Sequence, residues 1–291
     1  MKKTQLILFF KIITSFIFLG RSWQHLFWNA PYRSFFWDEK LFSPVVETIF
    51  STPWEVYATS LQTDLFIQNL IISIGVFYAI VGIVVLFITF DSHRIWKILL
   101  LIGGISLVIL SVLTTKEKFY HLAQFFEHSI QFGTPVVLYL FLSNKIKFEK
   151  LQLIFKILIA VTFTSHGLYA LGVYPVPGKF VDMTISILDV NETVAINFLF
   201  VVGLLDIFAA ILLFFPKVAK VALIYCCIWG LLTAMARLTS DFYLETPFLS
   251  LHQNLYKVIF RLSHGLLPLL VYLILKNQKN SSKAAALNTV L

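Results

Sequence analysis

Charged side chains are scarce in this sequence: 13% of its 291 residues are Asp, Glu, Lys or Arg, against about 25% in a soluble domain. Cysteine is nearly absent. The two that occur, Cys226 and Cys227, are adjacent inside an apolar run, which leaves neither a C-x-x-C redox pair nor a thiolate spacing for zinc. They read as small packing residues. Missing as well are a G-x-S-x-G nucleophile elbow, a P-loop and a G-x-G-x-x-G turn, so the usual signatures of acyl transfer, nucleotide hydrolysis and dinucleotide binding are excluded. No catalytic motif stands in their place.

What the chain has in quantity is apolar surface. Hydrophobic residues make up 58% of the sequence and the mean hydropathy is +0.84, the composition of a protein whose main solvent is lipid. Apolar runs at 4–20, 65–90, 95–114, 126–143, 151–172, 194–215, 218–236 and 255–275 are each near the roughly 20 residues needed to cross a bilayer as a helix. The expected fold class is therefore an all-α integral membrane protein of about eight spans. Lys2 and Lys3 precede the first run as in a signal peptide, but Gly20-Arg21-Ser22-Trp23 leads into bulky aromatics rather than a small-residue cleavage site. A retained first span is expected.

The net charge of +8 comes from short clusters between the apolar runs, which points to membrane topology and not to nucleic acid. With the N-terminus inside, Lys2, Lys3, Arg94, Lys97, Lys145, Lys147, Lys150, Lys217, Lys220, Lys276, Lys279 and Lys283 all fall on the inner side. The longer outer segments hold Arg21, Arg33, Lys40, Lys116, Lys118, Lys179 and Arg237. That bias places both termini in the cytoplasm, with the chain a multi-pass protein of the cell (inner) membrane.

The chain can also be laid against itself. Phe10-Lys11-Ile12 faces Phe155-Lys156-Ile157, which sets Arg21 opposite His166; Gly75 faces Gly203 and Tyr78 faces Asp206. Arg94 and Lys97 face Lys217 and Lys220, and Pro135 and Tyr139 face Pro268 and Tyr272, bringing His128 and Gln131 opposite Arg261 and His264. Four ordered matches predict two parallel four-helix repeats, 1–150 and 151–276, followed by a polar cytoplasmic tail, 277–291. The first repeat carries a long outer loop, 21–64, rich in aromatic residues. An interfacial belt with a short surface helix is expected there, or else a lid over an outer pocket.

Ionisable groups inside spans are costly unless paired or hydrated, so each is a candidate for function. Arg21, Glu127, His128, His166, Arg261 and His264 fall in the outer half of their spans, with Gln131 beside His128 on one helix face and Asp206 near mid-depth. One reading makes them structural, with Asp206 neutralising Arg261 and Glu127 pairing with Arg21. The other gives them to an outer-facing pocket in which His relays a proton and Arg holds an anion or a quinone carbonyl. His128, His166 and His264 lack metal-ligand spacing, so no metal is expected. His25, His121 and His252 are expected to be solvated near the interface.

The segment Phe163-Thr164-Ser165-His166-Gly167-Leu168-Tyr169 resembles the end of the first helix in the DoxX/DoxD-like membrane protein family. The resemblance covers about 151–275 and reaches the first half only through the duplication. His166 and Gly167 match the family pattern, whereas Tyr169-Ala170-Leu171 stands where a basic residue often follows, and Arg21 replaces the histidine in the first half. Family membership implies a four-helix membrane unit associated with quinone reduction. It suggests an accessory subunit that binds a quinone or lipid-like small molecule, with a redox or envelope protein partner and no nucleic acid; as an enzyme it would be at most the membrane subunit of a redox complex. A small-solute or proton-coupled transporter and a structural or assembly factor of the envelope are the alternatives.

Overall fold

A computed structural model describes residues 2–288, with side chains through residue 278. Residues 1 and 289–291, and the side chains of Lys279, Lys283 and the rest of the expected tail beyond 278, lie outside the described residues. Among the described residues there are thirteen helices, α1 to α13, and no strand.

Among the described residues seven of these helices are long and apolar enough to cross a membrane: α1 (Lys3–Phe27), α5 (Leu61–Val84), α6 (Arg94–Glu117), α9 (Phe148–Ala170), α11 (Glu192–Leu212), α12 (Ala219–Thr239) and α13 (Pro247–Asn288). The chain is thus a multi-pass, all-helical membrane protein. In lipid every backbone polar group must be satisfied within the segment, and these lengths do so by helix formation alone. Their outward faces stay apolar, as Leu65, Phe66, Val76, Ile80 and Ile83 do on α5.

The expected fourth span is different. Only Ser129–Leu142, α8, is helical there, 14 residues or about 21 Å against a hydrocarbon core of about 30 Å. The short α7 (Leu122–Phe126) precedes it, and the two are broken apart at Glu127 and His128. Irregular backbone at such a place must find partners in neighbouring helices. Here the Ile130 amide donates to Thr162 Oγ1 of α9 at 3.2 Å, and the Glu127 carbonyl lies 3.5 Å from His264 Nε2 of α13.

Other expected boundaries shift for plain reasons. α1 continues seven residues past Gly20, because the amphipathic stretch Arg21–Phe27 has a polar face to bury as well as an apolar one; Arg21, Ser22 and His25 are buried on it. Arg21 is therefore on a helix and not in a loop, and His25, with none of its surface exposed, is not solvated. α12 likewise carries Arg237 into its last turn. The 21–64 loop shrinks to a segment holding α2 (Arg33–Phe36), α3 (Glu39–Ile49) and α4 (Trp54–Thr59). Asp38 caps α3 by accepting from the Leu41 amide and pairs with Lys116 of α6 at 2.6 Å. The shorter second loop contains α10 (Gly178–Leu188), whose Lys179 is clamped by Asp241 at 2.5 Å.

Small residues let the helices approach. A Cβ on Gly203 would lie 2.9 Å from the Gly167 carbonyl oxygen, and one on Gly230 would lie 2.7 Å from the His264 backbone. These contacts join α9 to α11 and α12 to α13, the close backbone packing typical of membrane helices.

Candidate functional site

The α7–α8 break delivers Glu127 into the protein interior. Its carboxylate stands 3.6 Å from the Arg261 guanidinium, 3.7 Å from His128 Nε2 and 3.9 Å from His166 Nδ1. Arg261 and His264, one turn apart on α13, arrive from the opposite side, and the His166 and His264 rings meet edge to face with centroids 5.6 Å apart. Five of the candidate residues thus form one cluster drawn from α7–α8, α9 and α13.

The expected pairings are exchanged. Glu127 pairs with Arg261 and not with Arg21. Arg21 instead donates from Nε and Nη2 to Gln131 Oε1 at 3.0 and 2.6 Å, from Nη1 to Gln24 Oε1 at 2.7 Å, and lies 4.0 Å over the Phe260 ring. Phe260 and Arg261 are sequence neighbours on successive faces of α13, and that separates a Glu127–Arg261 centre from an Arg21–Gln131 centre. Asp206 does not neutralise Arg261 either: it accepts from the neutral Tyr225 hydroxyl at 2.8 Å.

The histidines share a feature that sets their tautomers. His128 Nδ1 is 2.9 Å from the Gln124 carbonyl, His264 Nδ1 is 3.0 Å from the Arg261 carbonyl, and His25 Nδ1 is 2.7 Å from the Arg21 carbonyl. A carbonyl only accepts, so Nδ1 carries the proton and Nε2 is the basic nitrogen of each neutral ring. In His264 that nitrogen faces the Glu127 carbonyl, a contact that becomes a hydrogen bond only when the ring takes a second proton.

Beside this cluster lies a cavity of about 450 Å³ lined by α9, α10, α11, α12 and α13. His166, Asp206, Arg261 and His264 line it, with Arg237 and Trp229; Glu127 and His128 stand behind them, and Arg21 and Gln131 belong to the other centre. Phe163, Phe198, Leu199, Val202 and Met235 make the rest of the wall apolar, and Phe180 and Met183 of α10 cover it. Volume and character match a small-molecule site, mostly apolar with a few convergent polar groups.

Arg237 and Trp229 are the site residues that sequence reading misses. Arg237 sits at the end of an apolar run and reads as an outer-loop charge, and an indole at mid-span looks like any other apolar residue. His121 is half-buried and stacks with Tyr174 at 4.8 Å. His252 sits among Trp23, Phe27 and Trp28 with centroids within 5.7 Å, so neither is a free surface group. Among the described residues no three His, Cys, Asp or Glu side chains converge as metal ligands would. Comparison with family models, curated proteins and solved structures finds no match to the chain.

Proposed function

We propose that this protein binds a lipid-soluble amphiphile in the cavity of its second half, apolar body along α11 and α12 and polar head at the Arg261–His166–His264 cluster. The observation that carries this reading is the juxtaposition of a mostly apolar cavity with buried cationic and basic groups at one end of it. A quinone would use the same arrangement, its carbonyl taking hydrogen bonds from Arg or His. With no flavin, haem or thiol pattern in the chain, electron transfer would need a partner protein, consistent with an accessory role of the kind the DoxX/DoxD-like resemblance implies. Lipid extraction from the detergent-purified protein tests it: wild type retains an amphiphile in stoichiometric amount, and Asp206→Asn and His264→Ala reduce it without unfolding the protein. Unchanged retention in folded variants would refute the cavity as the site.

The reading includes a parallel duplication with eight membrane segments, α7–α8 serving as the fourth, and both termini cytoplasmic. Contacts support the duplication at the level of register. The alignment that pairs Phe10 with Phe155 carries Leu26 onto Leu171; Gly75 abuts Leu26 and Gly203 abuts Leu171. Arg21 bonds Gln131, and their counterparts His166 and His264 also touch. Tyr78 bonds Ser106 at 2.8 Å, and their counterparts Asp206 and Trp229 line the same cavity.

A transport reading is favoured by one observation, the helix break at Glu127 and His128, since discontinuous helices build the substrate sites of many transporters. Proton-driven uptake into vesicles that is abolished by Glu127→Gln would favour it over the binding role.

A further inference from the structure

We infer that the ligand of this cavity is a single-chain amphiphile with a monoanionic carboxylate head, of fatty-acid type, seated on Arg237. The inference rests on the cavity being a ligand site and adds the charge of its occupant. Two guanidinium groups, Arg237 and Arg261, line the cavity. Arg261 has Glu127 within 3.6 Å. Arg237 has no carboxylate within ion-pair distance among the described residues, and its Nε is buried without a hydrogen-bond partner. The nearby acids reach Arg237 only at longer range and are otherwise engaged: Glu127 faces Arg261 and two histidines, Asp241 holds Lys179, and Asp206 is held by Tyr225 of α12.

A guanidinium on the wall of a mostly apolar cavity, with no carboxylate in ion-pair contact, is costly, and an anionic head lowers that cost. Arg21 shows the contrast. Its donors are taken by Gln131 and Gln24, so it has none to offer a ligand. One uncompensated positive charge calls for one negative charge, which a carboxylate supplies and a phosphate monoester, at about −1.5 to −2, exceeds. The planar fork of Arg also matches a carboxylate bidentately. A neutral quinone would leave the Arg237 charge unpaired. Phe198, Leu199 and Val202 on one side and Leu232 and Met235 on the other supply the wall for one aliphatic chain, and a cavity of about 450 Å³ is in the size range of a single small ligand.

Trp229 lines the cavity and reports on its contents. The full-length protein in detergent is titrated with dibromostearic acid and, separately, with its methyl ester, and the quenching lost in Trp229→Phe is taken as the cavity signal. The acid is expected to saturate that signal at about tenfold lower concentration than the ester, the factor expected when one charge-assisted contact is removed. Arg237→Met removes the difference and Arg237→Lys retains most of it. Equal potency of acid and ester in wild type would overturn the carboxylate inference while leaving the cavity as a ligand site. Absence of any Trp229-dependent quenching by either probe would overturn both. Displacement of the acid by phosphatidylglycerol but not by stearate would assign the site to a phosphodiester lipid and overturn the single-chain inference.

Discussion

Glu127 is the residue on which the interior charge balance turns, because it is the acidic partner of Arg261 and stands within 4 Å of two histidines. Replacing it by Gln removes one member of a buried pair and strands the other, which typically costs about 3–5 kcal/mol. The melting temperature in detergent is therefore expected to fall sharply for Glu127→Gln. Asp206→Asn is expected to be mild by the same assay, since an amide oxygen still accepts from Tyr225 and no cation is left unpaired. The candidate residues were legible one by one, as polar groups inside apolar runs, but their pairing was not. Arg21, Arg261, Glu127 and Asp206 permit several neutral combinations, and only the rotation of α13, which turns Phe260 to Arg21 and Arg261 to Glu127, selects among them.

At the scale of the element, glycine marks where helices meet and where they do not. Gly203→Val would drive side-chain atoms into the Gly167 carbonyl and Leu171, and overpacking of this kind costs about 1–3 kcal/mol. Gly178, with nothing within 4 Å of its Cβ position, should accept Ala without loss; comparing the two melting temperatures checks both statements. The segment after α1 is fastened by Asp38 to Lys116, whose ammonium holds the Asp38 carboxyl below the usual range. A depressed folded-state value means that the contribution is present above the ordinary aspartate value of about 3.9 and is lost as pH falls below it. Asp38→Asn should thus lower the melting temperature slightly at neutral pH, and the difference from wild type should shrink as pH falls below about 4. Of the elements, the long spans were readable because twenty apolar residues in succession have one stable form in lipid. The α7–α8 break was not, because it lies at Glu127 and His128 and not at Pro135, the only proline in that span; α8 absorbs the proline within its length.

For the whole molecule, the proposed duplication and the lysine distribution together predict sidedness. With Cys226 and Cys227 replaced by Ala, cysteines introduced at Thr52 and Glu192 should react from outside the cell with a membrane-impermeant maleimide. Cysteines at Asp91 and Lys147 should react only after permeabilisation. Thr52 and Glu192 on opposite sides would break the parallel relation between the halves. The cavity is a property of this scale as well. Five helices line it, and Arg237 and Trp229 enter the site only through the docking of α12 on α13 and the cover laid by α10, which is why apolar runs read singly do not reveal it. The central claim, that the second half holds an amphiphile, is tested most directly by native mass spectrometry of the wild-type protein beside Ala236→Phe, which puts a ring into the cavity from α12. The account predicts a stoichiometric small-molecule adduct on the wild type that is missing from the folded variant. An adduct of equal mass and occupancy on both, or none on either, would contradict it.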